Sequence, residues 1–145
     1  MFSATDLFAY IRAAKLGVVS TLGPSGAPQS ALVGIGVTED LRIVFDTVST
    51  SRKHANLVRD PRISLVIAGP AEKTLQYEGV ASEIPVGGDE GREVREAYYA
   101  SWPDGRERAV TWPTLRYWQI EPHWARYTDY DAEVLHAYFF GARPA

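Results

Sequence analysis

The chain has 145 residues, of which 46% are hydrophobic and 12% aromatic, so one domain spanning residues 1–145 with a real core is expected rather than a disordered chain. A formal net charge of −3 and a pI near 5.6 give no overall basic field, which argues against nucleic-acid and anionic-membrane partners. The absence of cysteine excludes disulfides, thiolate metal sites and thiol nucleophiles.

Residues 1–15 interleave Asp6, Arg12 and Lys15 with apolar positions and read neither as a signal sequence nor as a span. No other segment reaches the ~20 uncharged apolar residues of a transmembrane helix, and a cytoplasmic location is expected. Leu7, Tyr10, Ile11 and Ala14 recur at helical spacing behind Ser3 or Thr5 as cap, predicting an amphipathic helix over 4–15. Residues 17–22 read as a strand, Gly23-Pro24-Ser25-Gly26 as a tight turn and 28–37 as the second strand of a hairpin. Ser30, Ala31, Gly34 and Gly36 make that second strand unusually small, which points to a bulge, a bend, or the close approach of something flat.

Thr38-Glu39-Asp40 turns the chain into a strand over 41–47, and Ser51 caps a short helix that Pro61 stops. Strands over 62–68 and 74–85 follow, the latter with Leu75, Tyr77, Gly79 and Ala81 on one face and Gln76, Glu78, Val80 and Ser82 on the other. Residues 89–102 predict a helix with Asp89 and Glu90 in its first turn and an Arg92–Glu96 pair, ended by Pro103-Asp104-Gly105. Residues 115–120 and 124–128 read as two closing strands joined at Glu121-Pro122-His123. The apolar tail 135–140 is expected to pack on its own sheet or on a partner subunit. Short connections favour antiparallel pairing, and a long twisted sheet removes its edges by closing into a barrel. The fold class is therefore mainly β with flanking helices.

The most informative local feature is Arg52-Lys53 in the first turn of the short helix. Two cations there oppose the helix dipole by about 0.3–1 kcal/mol each. An anion such as a phosphate would turn that repulsion into a binding site, with backbone N–H groups and the Ser51 hydroxyl converging on it. The alternative is a solvated helix face on which Asp46 or Asp60 neutralises the two charges.

Other chemistries find little support. Gly34-Ile35-Gly36 lies within a strand, leads to no helix and lacks a third glycine, so it is not a dinucleotide fingerprint. His54, His123 and His136 lack the spacing of metal ligands, and no metal site is expected. No nucleophile elbow or acid/base carboxylate pair is present. Tyr77, Tyr117 and His54 are acid/base candidates by residue type alone, and the catalytic residues stay open.

Residues 16–22, Ser25-Gly26-Ala27-Pro28-Gln29-Ser30, Ile43-Val44-Phe45-Asp46-Thr47, Ser51-Arg52-Lys53 with Asn56-Leu57 and Asp60-Pro61, and Gln76-Tyr77-Glu78-Gly79-Val80-Ala81 occur in an order that resembles the pyridoxamine 5'-phosphate oxidase-like, FMN-binding split-barrel family. The resemblance covers roughly residues 10–85. It implies a homodimer of six-stranded antiparallel split barrels with FMN at the subunit interface. Arg52 and Lys53 would grip the phosphate with Ser51 and Thr47 nearby. Gln29, Ser30, Ala31 and Leu32 would run along the flavin ring, Gln76 would reach it from a later strand, and Trp118 would contribute from the other subunit. The family's Arg-x-His substrate signature is not reproduced in Leu115-Arg116-Tyr117-Trp118, so oxidation of pyridoxamine phosphate itself is not implied. The function expected is an FMN-dependent oxidoreductase acting on a small substrate. The alternatives are a deazaflavin-dependent reductase, a non-catalytic flavin-binding or storage protein, and a haem-binding relative.

Overall fold

The computed structural model describes residues 1–141. It is a single curled antiparallel sheet with four helices. Helix α1 (Ala4–Ala14) begins at a reciprocal cap: the Ser3 hydroxyl accepts from the Asp6 N–H at 3.2 Å, and the Asp6 carboxylate accepts from the Ser3 N–H at 2.8 Å. Its apolar stripe buries Leu7 and Ile11.

Strands β1 (Leu16–Leu22) and β2 (Pro28–Gly34) form the expected hairpin, in register from Leu16↔Gly34 to Leu22↔Pro28. After β3 (Gly36–Val37) and β4 (Ile43–Val48) come helix α2 (Arg52–Arg59), β5 (Arg62–Ala68) and β6 (Thr74–Ile84). Helices α3 (Arg92–Ser101) and α4 (Gly105–Thr111) lead to β7 (Leu115–Thr128) and β8 (His136–Phe139). The strand order is β2-β1-β5-β6-β7-β4-β3, with β8 on β7. The outermost strands β2 and β3 are separated in sequence by Ile35 alone, so the sheet has to curl until its two ends meet. Its interior holds Leu7, Ile11, Ile43, Phe45 and Tyr77. A second cluster, including Val44, Tyr98, Tyr99 and Tyr117, fills the space between the sheet and α3.

Several expectations are corrected. The seven strands read along the chain, six in the barrel that the resemblance implies, become eight strand segments among the described residues: Ile35 interrupts the stretch 28–37, the tail adds β8, and the two closing strands merge. Ile35 instead donates its N–H to the Lys15 carbonyl at 2.8 Å. The two closing strands are one 14-residue strand, because β6 pairs along its whole length and the ladder passes Pro122 at a bulge that skips His123. At that bulge a Cβ on Gly79 would lie 2.3 Å from the Glu121 carbonyl oxygen. Gly91, at φ 75°, starts α3 at Arg92, so Asp89 and Glu90 precede the helix and Arg92 pairs with Asp89. Glu96 is taken by Arg106 of α4, a helix that the Asp104-Gly105 turn signal concealed. The tail packs on its own sheet: β8 pairs with β7, and Ala137 and Phe139 rest against the core.

Candidate functional site

Ser51 has extended backbone and its hydroxyl accepts from the His54 N–H at 3.2 Å, so α2 starts where a cap was expected. The same hydroxyl lies 2.8 Å from the Thr47 hydroxyl at the end of β4. This places Arg52 and Lys53 over the β1–β2 hairpin, where they line a pocket of about 110 Å³ together with Val19, Thr21, Gln29, Ser30 and Ala31. A chain segment 20 residues away in sequence thus meets the two cations at one hollow.

Neither cation makes an ion pair or a side-chain hydrogen bond among the described residues. The two carboxylates that might neutralise them are engaged elsewhere. Asp60 pairs with Arg62 at 2.6 Å, and Asp46 pairs with Arg108 at 3.1 Å. Burial lowers the Lys53 ammonium from its ordinary range, and the Asp46 charge opposes that shift. The solvated-face alternative therefore loses its counter-ions.

Asn56 does what sequence reasoning did not assign to it. Fully buried, its Nδ2 donates to Thr21 Oγ1 at 3.0 Å and to Gln29 Oε1 at 2.9 Å, while its Oδ1 accepts from Arg59 at 2.8 Å. It bolts α2 to the hairpin and fixes Gln29. The available signal was a carboxamide beside Leu57 on a helix too short to hide a polar residue without partners.

The other expected residues are placed differently. Leu32 is 66% exposed on the outer face of β2, beyond the pocket. Cross-strand register runs from Leu32 through Val18 and Val66 to Gln76, so Gln76 lies three strand spacings, about 14 Å, from Leu32. Trp118 is 3% exposed and its indole N–H donates to His54 Nδ1 of the same chain at 3.1 Å. Tyr77 is buried, and its hydroxyl donates to the Leu41 carbonyl at 2.8 Å; burial pushes its pKa up. Tyr117, also raised by burial, meets the Tyr99 hydroxyl at 2.9 Å. Neither tyrosine lines the pocket. The small residues of 28–37 divide in the same way: Ser30 and Ala31 line the pocket, whereas a Cβ on Gly34 would lie 2.8 Å from the Trp102 indole. The flat neighbour of Gly34 is therefore the protein's own tryptophan, whose N–H donates to the Ile35 carbonyl at 3.1 Å.

Among the described residues no group of three or more His, Asp or Glu could hold a metal ion. No helix among them is long and apolar enough to cross a membrane.

The enclosed volume tests the fit of a flavin nucleotide. It falls below the about 300–1,000 Å³ of a site that swallows a whole small molecule, so within one chain it suits the phosphate end alone. Two cations without ion-pair partners among the described residues, a capping hydroxyl and the N–H groups of Arg52 and Lys53 ahead of the capped His54 are the donor set such a group needs.

A curled antiparallel sheet of this topology defines a split-barrel protein. Residues 5–129 match the pyridoxamine 5'-phosphate oxidase family, and the chain belongs to it. A curated relative from a Nocardioides species, named pyridoxine/pyridoxamine 5'-phosphate oxidase, is 40% identical over 88 residues; the match covers 59% of this chain and 38% of the relative. Among solved structures, a haem-binding protein from Mycobacterium smegmatis superimposes with a TM-score of 0.76 at 22% identity, over 94% of this chain and 57% of that one. An FMN-binding protein from Nostoc punctiforme, described as related to pyridoxamine 5'-phosphate oxidase, superimposes with a TM-score of 0.66 at 15% identity, over 92% and 86% of the two chains. At these identities the structural likeness speaks for the fold.

Proposed function

We propose that this chain binds FMN and works as a flavin-dependent oxidoreductase on a small organic substrate, as a homodimer with the cofactor between subunits. The observation that carries the reading is the pair Arg52 and Lys53, free of ion-pair partners among the described residues and facing a pocket with Gln29, Ser30 and Ala31. In this reading the two cations hold the phosphate, Ser51 and Thr47 orient it, and the strand 29–32 borders the ring. The flavin supplies hydride transfer; the protein supplies binding and orientation.

The homodimer is supported by an exposed apolar row beside the pocket. Val18 (41% exposed), Leu32 (66%) and Val66 (48%) are neighbours across three strands, with Leu16 next along β1. Such a patch is costly in a lone chain. A second copy laid on it would cover the part of the cofactor that the small pocket cannot enclose, and would bring Gln76 within reach of it.

The test is titration of the double variant R52A/K53A with FMN and with riboflavin, followed by flavin fluorescence. Loss of the phosphate contacts is expected to weaken FMN at least about a hundredfold while changing riboflavin little. Unchanged FMN affinity would overturn the assignment. A haem reading is favoured by the name of the Mycobacterium smegmatis structure and by His123, whose buried Nδ1 has no hydrogen-bond partner and which lines a groove of about 380 Å³. The absorbance of protein from its native host separates the readings: two flavin bands, the single band of a deazaflavin, or a Soret peak.

A further inference from the structure

We infer that the cavity between α1, the end of β7 and the 129–135 loop is a second ligand site, built for a small organic cation: a protonated amine carried on an aromatic body. It shares no lining residue with the anion pocket, and it does not depend on the flavin reading.

The cavity measures about 940 Å³, the scale of a small-molecule site and far larger than the anion pocket. Its walls are rich in aromatic rings. The Phe2 ring stacks on Tyr127 with centroids 3.8 Å apart, Tyr10 meets the same ring edge-on at 5.1 Å, and Tyr138 adds a further ring from β8. Phe2 thus already shows how a phenyl ring seats on Tyr127, and the faces of such rings attract cations. The charges point the same way. The lining side chains include the carboxylates of Asp6, Asp129 and Glu133 but no lysine or arginine. Asp6 is tied to the cap of α1 by the Ser3 N–H, and the His136 ring is engaged by the Thr128 hydroxyl at 3.0 Å. The Asp129 carboxylate accepts the Asp131 N–H at 3.0 Å, and neither it nor Glu133 makes an ion pair among the described residues. An anion would be repelled here, and among the described residues the carboxylates do not converge into a group that could hold a metal ion.

The group that calls for a ligand is the Tyr127 hydroxyl. Tyr127 is 7% exposed, yet its hydroxyl has no hydrogen-bond partner among the described residues. Its oxygen is not sealed inside the fold, as Nδ1 of His123 and Nε of Arg126 are, so it opens on the cavity that the ring lines. A largely buried hydroxyl left unpaired is destabilising, and a donor in the cavity relieves that cost. An ammonium group has N–H donors for the Tyr127 oxygen and for the carboxylate of Asp129, two positions further along the chain, while the body of the ligand lies against the rings.

The experiment titrates the protein calorimetrically with 2-phenylethylamine and with its neutral and anionic counterparts, 2-phenylethanol and 3-phenylpropionate. Saturable binding is expected for the amine, binding at least about tenfold weaker for the alcohol, and none for the carboxylate. Equal binding of all three, or no saturation by the amine up to about 10 mM, overturns the inference. Y127F is expected to weaken the amine about fivefold and D129N about tenfold. The thermal midpoint of Y127F should match that of wild type, because the lost hydroxyl bonds no other described residue. Should D129N fail to fold, E133Q on the exposed loop still decides, with an expected loss of about threefold. Wild-type affinity in every folded variant overturns the assignment. Saturating FMN is expected to leave the amine bound; displacement would place the amine in the anion pocket and likewise overturns the proposal.

Discussion

The indole N–H of Trp118 donates to Nδ1 of His54 across 3.1 Å, with the two rings nearly edge-on at 69°. A nitrogen that accepts cannot carry the proton, so the neutral imidazole is held with its hydrogen on Nε2, which faces the Glu83 carboxylate at 3.8 Å. Nitrogen-15 NMR of the folded protein is expected to show the Nε2–H tautomer for His54. In W118F the donor is gone, and the two ring nitrogens should move toward the averaged shifts of an exchanging imidazole. An unchanged spectrum would show that the indole does not set the tautomer.

Asn56 joins three elements through its side chain, so N56A should act on stability and binding together. The substitution leaves Gln29 without its donor and Thr21 without its partner in a buried setting, and a loss of about 2–3 kcal/mol is expected. Urea unfolding should show a lower midpoint with an unchanged slope. FMN affinity should fall as Gln29 loosens.

Gly36 tests the packing of α3 on the sheet. An added Cβ would lie 2.5 Å from the Tyr98 Cα and 2.7 Å from the Ala97 carbonyl oxygen, both backbone atoms that no rotamer change can move aside. G36A is therefore expected to cost about 3 kcal/mol or more, at the upper end of overpacking effects. Nothing lies within 4 Å of a Cβ at Gly87, and G87A is expected to stay within about 0.5 kcal/mol of wild type. Thermal unfolding of the pair checks both.

Tyr10 makes stability sensitive to alkali. Its hydroxyl donates toward the Ile67 and Lys73 carbonyls at 2.9 and 2.8 Å, and burial pushes its pKa up to about 12. Both neighbours are acceptors, so the phenolate would have no donor. The folded state favours the protonated form, and the stabilisation is complete below the ordinary tyrosine pKa of about 10 and lost as pH rises toward about 12. Y10F should flatten that part of the pH profile of stability. An alkaline limb identical to wild type would refute the assignment.

Local signals carried the reading where the contacts are local. The Ser51 cap bonds to a residue three positions on, and the misplaced cations stand next to it. The β1–β2 hairpin closes through the Gly23–Gly26 turn. What escaped detection are pairings made only by the closed sheet. Asn56 meets Gln29 across 27 residues, and Arg108 meets Asp46 across 62. Gly34 and Gly36 did announce a close approach, but no spacing in the chain names Trp102 or Tyr98 as the body approaching. Asp104-Gly105 has the composition of a stop and also begins the next helix, a choice that only Arg108's contacts settle.

The single residue between β2 and β3 also limits what this scaffold tolerates. Lengthening the tether at Ile35 would let the two ends of the sheet move apart, opening further the outer edges of β2 and β3, which no ladder joins to each other among the described residues. Borders held apart in this way would be templates for strand addition by neighbouring molecules. The tightness of one peptide link thus keeps the two open borders close together, and a loop graft at that point should favour self-association by strand addition.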